Sequence, residues 1–181
     1  MQARGIAGIT LRPLAAELSV APRTLLYHFG SKENLLIEAI RHLRHQQPAI
    51  DHALGIGPRP GEDTAGMLAE TIKRMWHESK REQSRPFLAL YFELAALTIR
   101  DPDQYSPMLH ELDQDWTAAI TAHLRHSGMS NEAADSLTES LLIGYRGALH
   151  FGLVTGRWNA AEDAVDDMLD DTLRTMNNGT E

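Results

Sequence analysis

The 181-residue chain contains no cysteine. A disulfide framework, a thiolate metal site and a cysteine nucleophile are thereby excluded, and zinc fingers with them. It also has no apolar run near the roughly 20 residues that cross a bilayer. Its start, Met1-Gln2-Ala3-Arg4-Gly5-Ile6, lacks the basic segment and apolar stretch of a signal peptide. No membrane association is expected, and the cytoplasm is the default compartment. An excess of positive charge is missing too: the formal net charge of −8 argues against a non-specific nucleic-acid binder. What is present is ordinary for a folded chain, with 43% hydrophobic and 23% charged residues, which speaks against disorder and collagen-like repetition. The length suits one domain, or a small unit joined to a larger one.

The average charge conceals a split. Residues 1–48 carry six Lys and Arg against three Asp and Glu, a net of +3, while the remainder carries −11. A basic head on an acidic body suits a chain whose head alone meets a polyanion, since phosphate neutralisation needs local rather than global positive charge.

Helical periodicity runs from start to finish, and no alternating β-branched segment qualifies as a strand. The expected fold is all-α. Gly55-Ile56-Gly57-Pro58-Arg59-Pro60-Gly61 reads as a linker, because its three Gly and two Pro deny any regular element. Beyond it, helices are expected over 62–83, from Ser84 and Pro86 to about Arg100, over 107–126 ending at Gly128, from Ser130 to Gly156, and from a cap at Asn159 onward. The last helix has an apolar stripe and an acidic face (Glu162, Asp163, Asp166, Asp167, Asp170, Asp171) that is expected to be solvated.

The head carries the strongest local pattern. Thr10 can cap a short helix whose apolar face is Leu11, Leu14, Ala15 and Leu18. A turn at Ser19-Val20-Ala21 precedes a second short helix opened by Pro22, in which Leu25 and Phe29 pack inward with Val20. Arg23, Thr24, Tyr27 and His28 are left facing out, where they can enter a major groove. Ser31 caps a third helix with Lys32 at its start and Leu35, Leu36, Ala39, Ile40 and Leu43 as its stripe. Its free N–H groups and the Lys32 ammonium make a natural phosphate site.

The run Gly8-Ile9-Thr10-Leu11-Arg12, Leu14-Ala15, Val20 and Thr24-Leu25-Leu26-Tyr27-His28-Phe29-Gly30-Ser31-Lys32-Glu33-Asn34-Leu35-Leu36 resembles the DNA-binding domain of TetR-family transcriptional regulators. The resemblance implies an N-terminal helix-turn-helix domain over 1–46 and a helical effector-binding and dimerisation domain over 47–181. It implies a homodimer that places two recognition helices in successive major grooves of a near-palindromic double-stranded operator and is released by a small-molecule effector. Carried over by position, Thr10, Arg12, Thr24, Tyr27 and Lys32 are expected at phosphates, and Ala21, Pro22, Arg23 and His28 at bases or nearby backbone. Arg23 is the candidate for base readout, since a guanidinium can bind O6 and N7 of guanine together. The chain departs from the family pattern in three places. Leu26 stands where the family has an aromatic. Ser19 stands where the family's turn carries Gly, which implies either a less strained turn or a small local cost. Met1 stands near where the family's first helix would end.

In the body, Gly144, Ala148 and Gly152 form a lane of small residues. With Val165, Leu169 and Thr172 they are the expected dimer interface, the alternative being packing within one chain. Aromatic residues are concentrated among the middle helices. Trp76, Phe87, Tyr91, Trp116 and Tyr145, with Arg146 or His150 as polar anchor, are candidates for an effector pocket, and simple core is the alternative. The pairs His42/His45 and His123/His126 lack a third ligand at useful spacing and are expected at the surface, so no metal or cofactor is expected. No Gly-x-Ser-x-Gly, phosphate-cradling glycine loop or His-Glu-x-x-His occurs. A regulator, more readily a repressor than an activator, is the leading expectation and an enzyme is not. The alternative is a dimeric small-molecule-binding protein that has lost DNA binding.

Overall fold

In a computed structural model of the chain, residues 11–45 and 63–178 are described, and every regular element among them is helical. Thr10 and the linker at 55–61 lie outside the described residues, as do the side chains of Leu43 and His45. The helices are α1 (Leu11–Glu17), α2 (Pro22–Phe29), α3 (Lys32–His45), α4 (Thr64–Ser79), α5 (Arg85–Arg100), α6 (Pro102–His126), α7 (Asn131–Thr155) and α8 (Trp158–Asn178), with a 3₁₀ turn at Glu82–Ser84 before α5. The chain divides into two compact units, residues 1–47 with 82–112 and residues 48–81 with 113–181.

In the first unit, α1 and α2 close on a small core of Ala15, Leu25 and Leu35, with Leu11, Leu14 and Phe29 packed against it. Pro22 opens α2 behind an extended Ala21, and Gly30 closes it at a positive φ, donating its N–H to the Leu26 carbonyl at 2.8 Å. Ser31 caps α3 as expected, its Oγ accepting the Asn34 N–H at 3.0 Å. Leu36 and Ile40 of α3 are fully buried, and α3 packs on α5, which buries Leu88, Leu90 and Leu94. Arg41 of α3 pairs with Glu38 and with Glu111 of α6.

Two residues of the head sit differently from their expected places. Leu18 and Val20 are exposed, at 55% and 38%, rather than packed inward. Val20 acts through its backbone instead, its N–H donating to the Ala15 carbonyl at 2.9 Å. Ser19 takes φ +56. Of the two alternatives for the glycine-free turn, the local cost is the one realised, because an L side chain in this region costs about 1–2 kcal/mol.

Helix boundaries differ where two start signals compete. α4 is shorter than the expected 62–83: Asp63 caps it by accepting the Gly66 N–H at 3.0 Å, and it ends at Ser79. Ser84 precedes α5 but makes no side-chain cap hydrogen bond, leaving Pro86 in the first turn as the working signal. α6 begins at Pro102, with Asp101 Oδ1 accepting the Gln104 N–H at 3.3 Å, so Pro107 lies inside the helix rather than opening it. α8 begins at Trp158, whose first turn closes through the Arg157 carbonyl, and Asn159 is therefore a helical residue rather than the cap.

The second unit is built from α4, the latter part of α6, α7 and α8. Ser130 caps α7 through the Ala133 N–H at 3.2 Å, and Gly156 at φ +71 closes it. α7 and α8 then run antiparallel. Gly144 faces Met168, and Gly152 lies under the Trp158 ring, where an added Cβ would come within 2.6 Å of Cε3.

Candidate functional site

In the head, α2 buries Leu25 and turns Arg23, Tyr27 and His28 outward. Tyr27 is 86% exposed, although a tyrosine ring normally finds cover. Its ring is steadied edge-on against His28, with centroids 5.4 Å apart. Ala21 and Pro22 are exposed at the N-terminus of the same helix, and Thr24 is half-buried with its N–H bonded to the Ala21 carbonyl at 2.9 Å. Arg12 on α1 is exposed, and Lys32 at the start of α3 is half-buried. Leu26, where the family pattern has an aromatic, is 42% exposed. The head thus has cationic and hydrogen-bonding groups on a short helix held from behind by a small apolar core, an arrangement that can meet phosphates and base edges.

The expected pocket residues fall in both units. Phe87 and Tyr91 belong to the first, with ring centroids 6.4 Å apart, and Tyr91 also meets Phe92 edge-on at 5.4 Å. Trp76, Trp116 and Tyr145 belong to the second and do come together: Tyr145 lies 5.9 Å from Trp76 and 6.0 Å from Trp116. The Tyr145 hydroxyl and Ser79 Oγ share a hydrogen bond at 3.2 Å. Burial pushes the Tyr145 phenol well above its ordinary value, and the Ser79 hydrogen bond offsets part of that rise. Arg146 forms an ion pair with Asp113 at 2.8 Å, and His150 is exposed.

Ala148, Gly152, Val165, Leu169 and Thr172 are buried within the chain. Gly144 is exposed but has Met168 across its Cα. For Gly144 and Gly152 the lane of small residues is filled from the same chain, the alternative left open by the sequence. The opposite face of α7 carries Ile143 at 74% and Val154 at 70% exposure, with Gly147 between them and nothing within 4 Å of where its Cβ would be.

Three residues escaped sequence reasoning. Trp158 meets Trp76 at 6.0 Å and completes the aromatic group; its signal was Gly152, a small residue that calls for a large one across the Gly156 turn. Ser79 had no signal. His123, expected at the surface, is 3% exposed, because it shares a face of α6 with Trp116 and Ile120. Its Nδ1 bonds to the Ala119 carbonyl at 2.9 Å, while His42 and His126 are exposed as expected. The acidic face of α8 is not wholly solvated either: Glu162 pairs with Lys80 at 2.8 Å and Asp166 with Lys73 at 3.6 Å. Among the described residues no group of three or more His, Cys, Asp or Glu is placed to hold a metal ion, and no helix is long and apolar enough to cross a membrane.

Residues 1–39 match the family model for bacterial regulatory proteins of the tetR family. That segment includes α1, α2 and most of α3, and the match supports a TetR-type DNA-binding transcriptional regulator. No curated protein and no solved structure matches the chain.

Proposed function

We propose, starting from a TetR-type head at residues 1–39, that the chain is a ligand-responsive repressor that binds a near-palindromic operator as a homodimer and is released by a small-molecule effector. The observation that carries this reading is the outward face of α2, where Arg23, Tyr27 and His28 are exposed beside a buried Leu25. In this reading Arg12, Thr24, Tyr27 and Lys32, with Thr10 outside the described residues, meet phosphates. Ala21, Pro22, Arg23 and His28 lie at the base edges, where a bidentate arginine is worth about 1–3 kcal/mol of discrimination.

The body, residues 47–181, would bind the effector and pair with a second copy through α7 and α8. Ala148, Gly152, Val165, Leu169 and Thr172 are enclosed within their own chain, so the contact falls to the outward face of α7, with Ile143, Gly147 and Val154. An exposed glycine between two exposed aliphatic residues lets a second helix approach closely. Release follows by population shift: the effector favours a body conformation in which the two heads no longer match a groove spacing of about 34–36 Å.

The test is a fluorescence anisotropy titration of the chain against DNA from its own promoter region at two salt concentrations, beside an Arg23→Ala, Tyr27→Ala double variant. Binding that depends on sequence, weakens with salt and is lost in the double variant is expected. Binding to no promoter fragment would refute the regulator reading and leave a dimeric small-molecule-binding protein.

A further inference from the structure

We infer that a second copy of the chain seats antiparallel on the outward face of α7 alone, with Glu139 of one copy meeting the partner's Arg157 and α8 held out of the contact. The inference rests on the homodimer reading above and assigns the direction and register of the pair. Spacing, charge along α7 and charge on α8 carry it together.

Spacing defines the seat. Ser136, Ser140, Ile143, Gly147, His150 and Val154 are all exposed, and they recur at alternating steps of four and three residues. That repeat lays out a straight seam for a second helix crossing at about 20°. None of the six is Asp, Glu, Lys or Arg. The Ser140 hydroxyl donates to the Ser136 carbonyl at 3.1 Å, so it is satisfied within its own helix when the seam closes.

Charge along α7 sets the direction. Residues 131–139 carry Glu132, Asp135 and Glu139 and no Lys or Arg, whereas residues 140–157 carry Arg146 and Arg157 and no Asp or Glu. A parallel mate would set like charges side by side, and an antiparallel mate sets the acidic end of one helix against the basic end of the other. Three of these charges are engaged within the chain. Glu132 lies in the first turn, where the helix dipole favours it, Asp135 pairs with Arg125 at 2.9 Å, and Arg146 pairs with Asp113 at 2.8 Å. Glu139 and Arg157 are exposed and enter no ion pair among the described residues. The Arg157 guanidinium lies 5.4 Å over the Phe151 ring, which holds it back along α7. Both charges thus stand on the order of 10 Å from Gly147, on opposite sides of it. A two-fold axis near Gly147, where nothing lies within 4 Å of an added Cβ, brings them level on opposite copies.

Charge on α8 sets the limit. Its outward face exposes Asp163, Asp166, Asp167, Asp170 and Asp171. Lys73 pairs with Asp166 and Arg174 with Asp171, but Asp163, Asp167 and Asp170 enter no ion pair among the described residues. A two-fold contact through this face would press it against its own copy, and like charges facing across an interface are strongly unfavourable.

The test is sedimentation of the full chain over a range of protein concentrations at about 0.15 M salt. Wild type is compared with Glu139→Lys, Arg157→Glu, the variant carrying both, and Asp167→Lys. The replaced side chains are all exposed, and circular dichroism checks that the folds are alike. Wild type is expected to self-associate. Each single reversal is expected to weaken association about tenfold, because two-fold symmetry turns two attractive pairs repulsive at once. The double variant exchanges the two charges and is expected to return to within about threefold of wild type, while Asp167→Lys changes association by less than about twofold. A double variant no tighter than the single ones overturns the inference and leaves a homodimer paired in another way. A larger change with Asp167→Lys also overturns it, by placing α8 in the contact. A chain that stays monomeric at every concentration removes the homodimer reading along with it.

Discussion

Gly152 and Gly147 share a helix and differ only in what faces them, so replacing each with alanine separates helix propensity from packing. The propensity gain from Gly to Ala in a helix is at most about 1 kcal/mol. At Gly147 nothing lies within 4 Å of the new Cβ, so Gly147→Ala is expected to stabilise by nearly that amount. At Gly152 the Cβ would stand 2.6 Å from Cε3 and 2.7 Å from Cζ3 of Trp158, a rigid ring whose other neighbour is the buried Trp76. Overpacking of this kind costs about 1–3 kcal/mol. The sum for Gly152→Ala therefore runs from neutral to a loss of about 2 kcal/mol. Gly144→Ala should fall between the two, because the atom it meets, Met168 Sδ at 2.6 Å, belongs to a flexible side chain that can move aside. Thermal unfolding gives the order directly, since for a chain of this size each kcal/mol shifts Tm by about 2–4 °C. Repeating the scan at two protein concentrations keeps the Gly147 effect apart from any change in self-association. A Gly152→Ala variant as stable as Gly147→Ala would refute the packing of Trp158 on Gly152.

Three further outcomes are expected. Burial raises the Tyr145 phenol above its unfolded value of 10.0, so the folded chain keeps a proton that the unfolded chain loses, and stability falls as pH rises past that value. Denaturant titrations of Tyr145→Phe should show a shallower alkaline decline, with a loss of about 1 kcal/mol at neutral pH from the Ser79 hydrogen bond. Ser19→Gly should stabilise the fold by up to about 1 kcal/mol, read as a raised unfolding midpoint, because relief at φ +56 exceeds the added freedom of the unfolded chain. Pro107→Ala should stabilise by about 1–2 kcal/mol by restoring a backbone N–H inside α6, and an unchanged midpoint would place Pro107 at a helix end instead.

Local signals worked where a residue's role depends on its neighbours along the chain. Pro22, Ser31, Ser130 and Gly156 mark helix ends in the structure as their chemistry dictates, and Leu25 is buried with Arg23 and Tyr27 outward as the helical repeat requires. The errors arose where two local signals competed or where cover came from elsewhere. Asp101-Pro102 and Ser106-Pro107 both read as starts, and the first one took the helix. Leu18 has the composition of a core residue, but nothing packs over more than half of it.

The sequence by itself determined the all-α class, the helix-turn-helix of α1 and α2 and the outward face of α2, because each follows from contacts within a turn or two of helix. Tertiary structure decided that His123 is buried, that Trp158 closes over Gly152, and that Tyr145 meets a serine 66 residues earlier in the chain. The physical reason is range. Capping and periodicity act over three or four residues, whereas burial depends on which helices meet. The ion pair of Lys80 with Glu162 joins side chains 82 residues apart, and neither sequence neighbourhood carries a sign of the other.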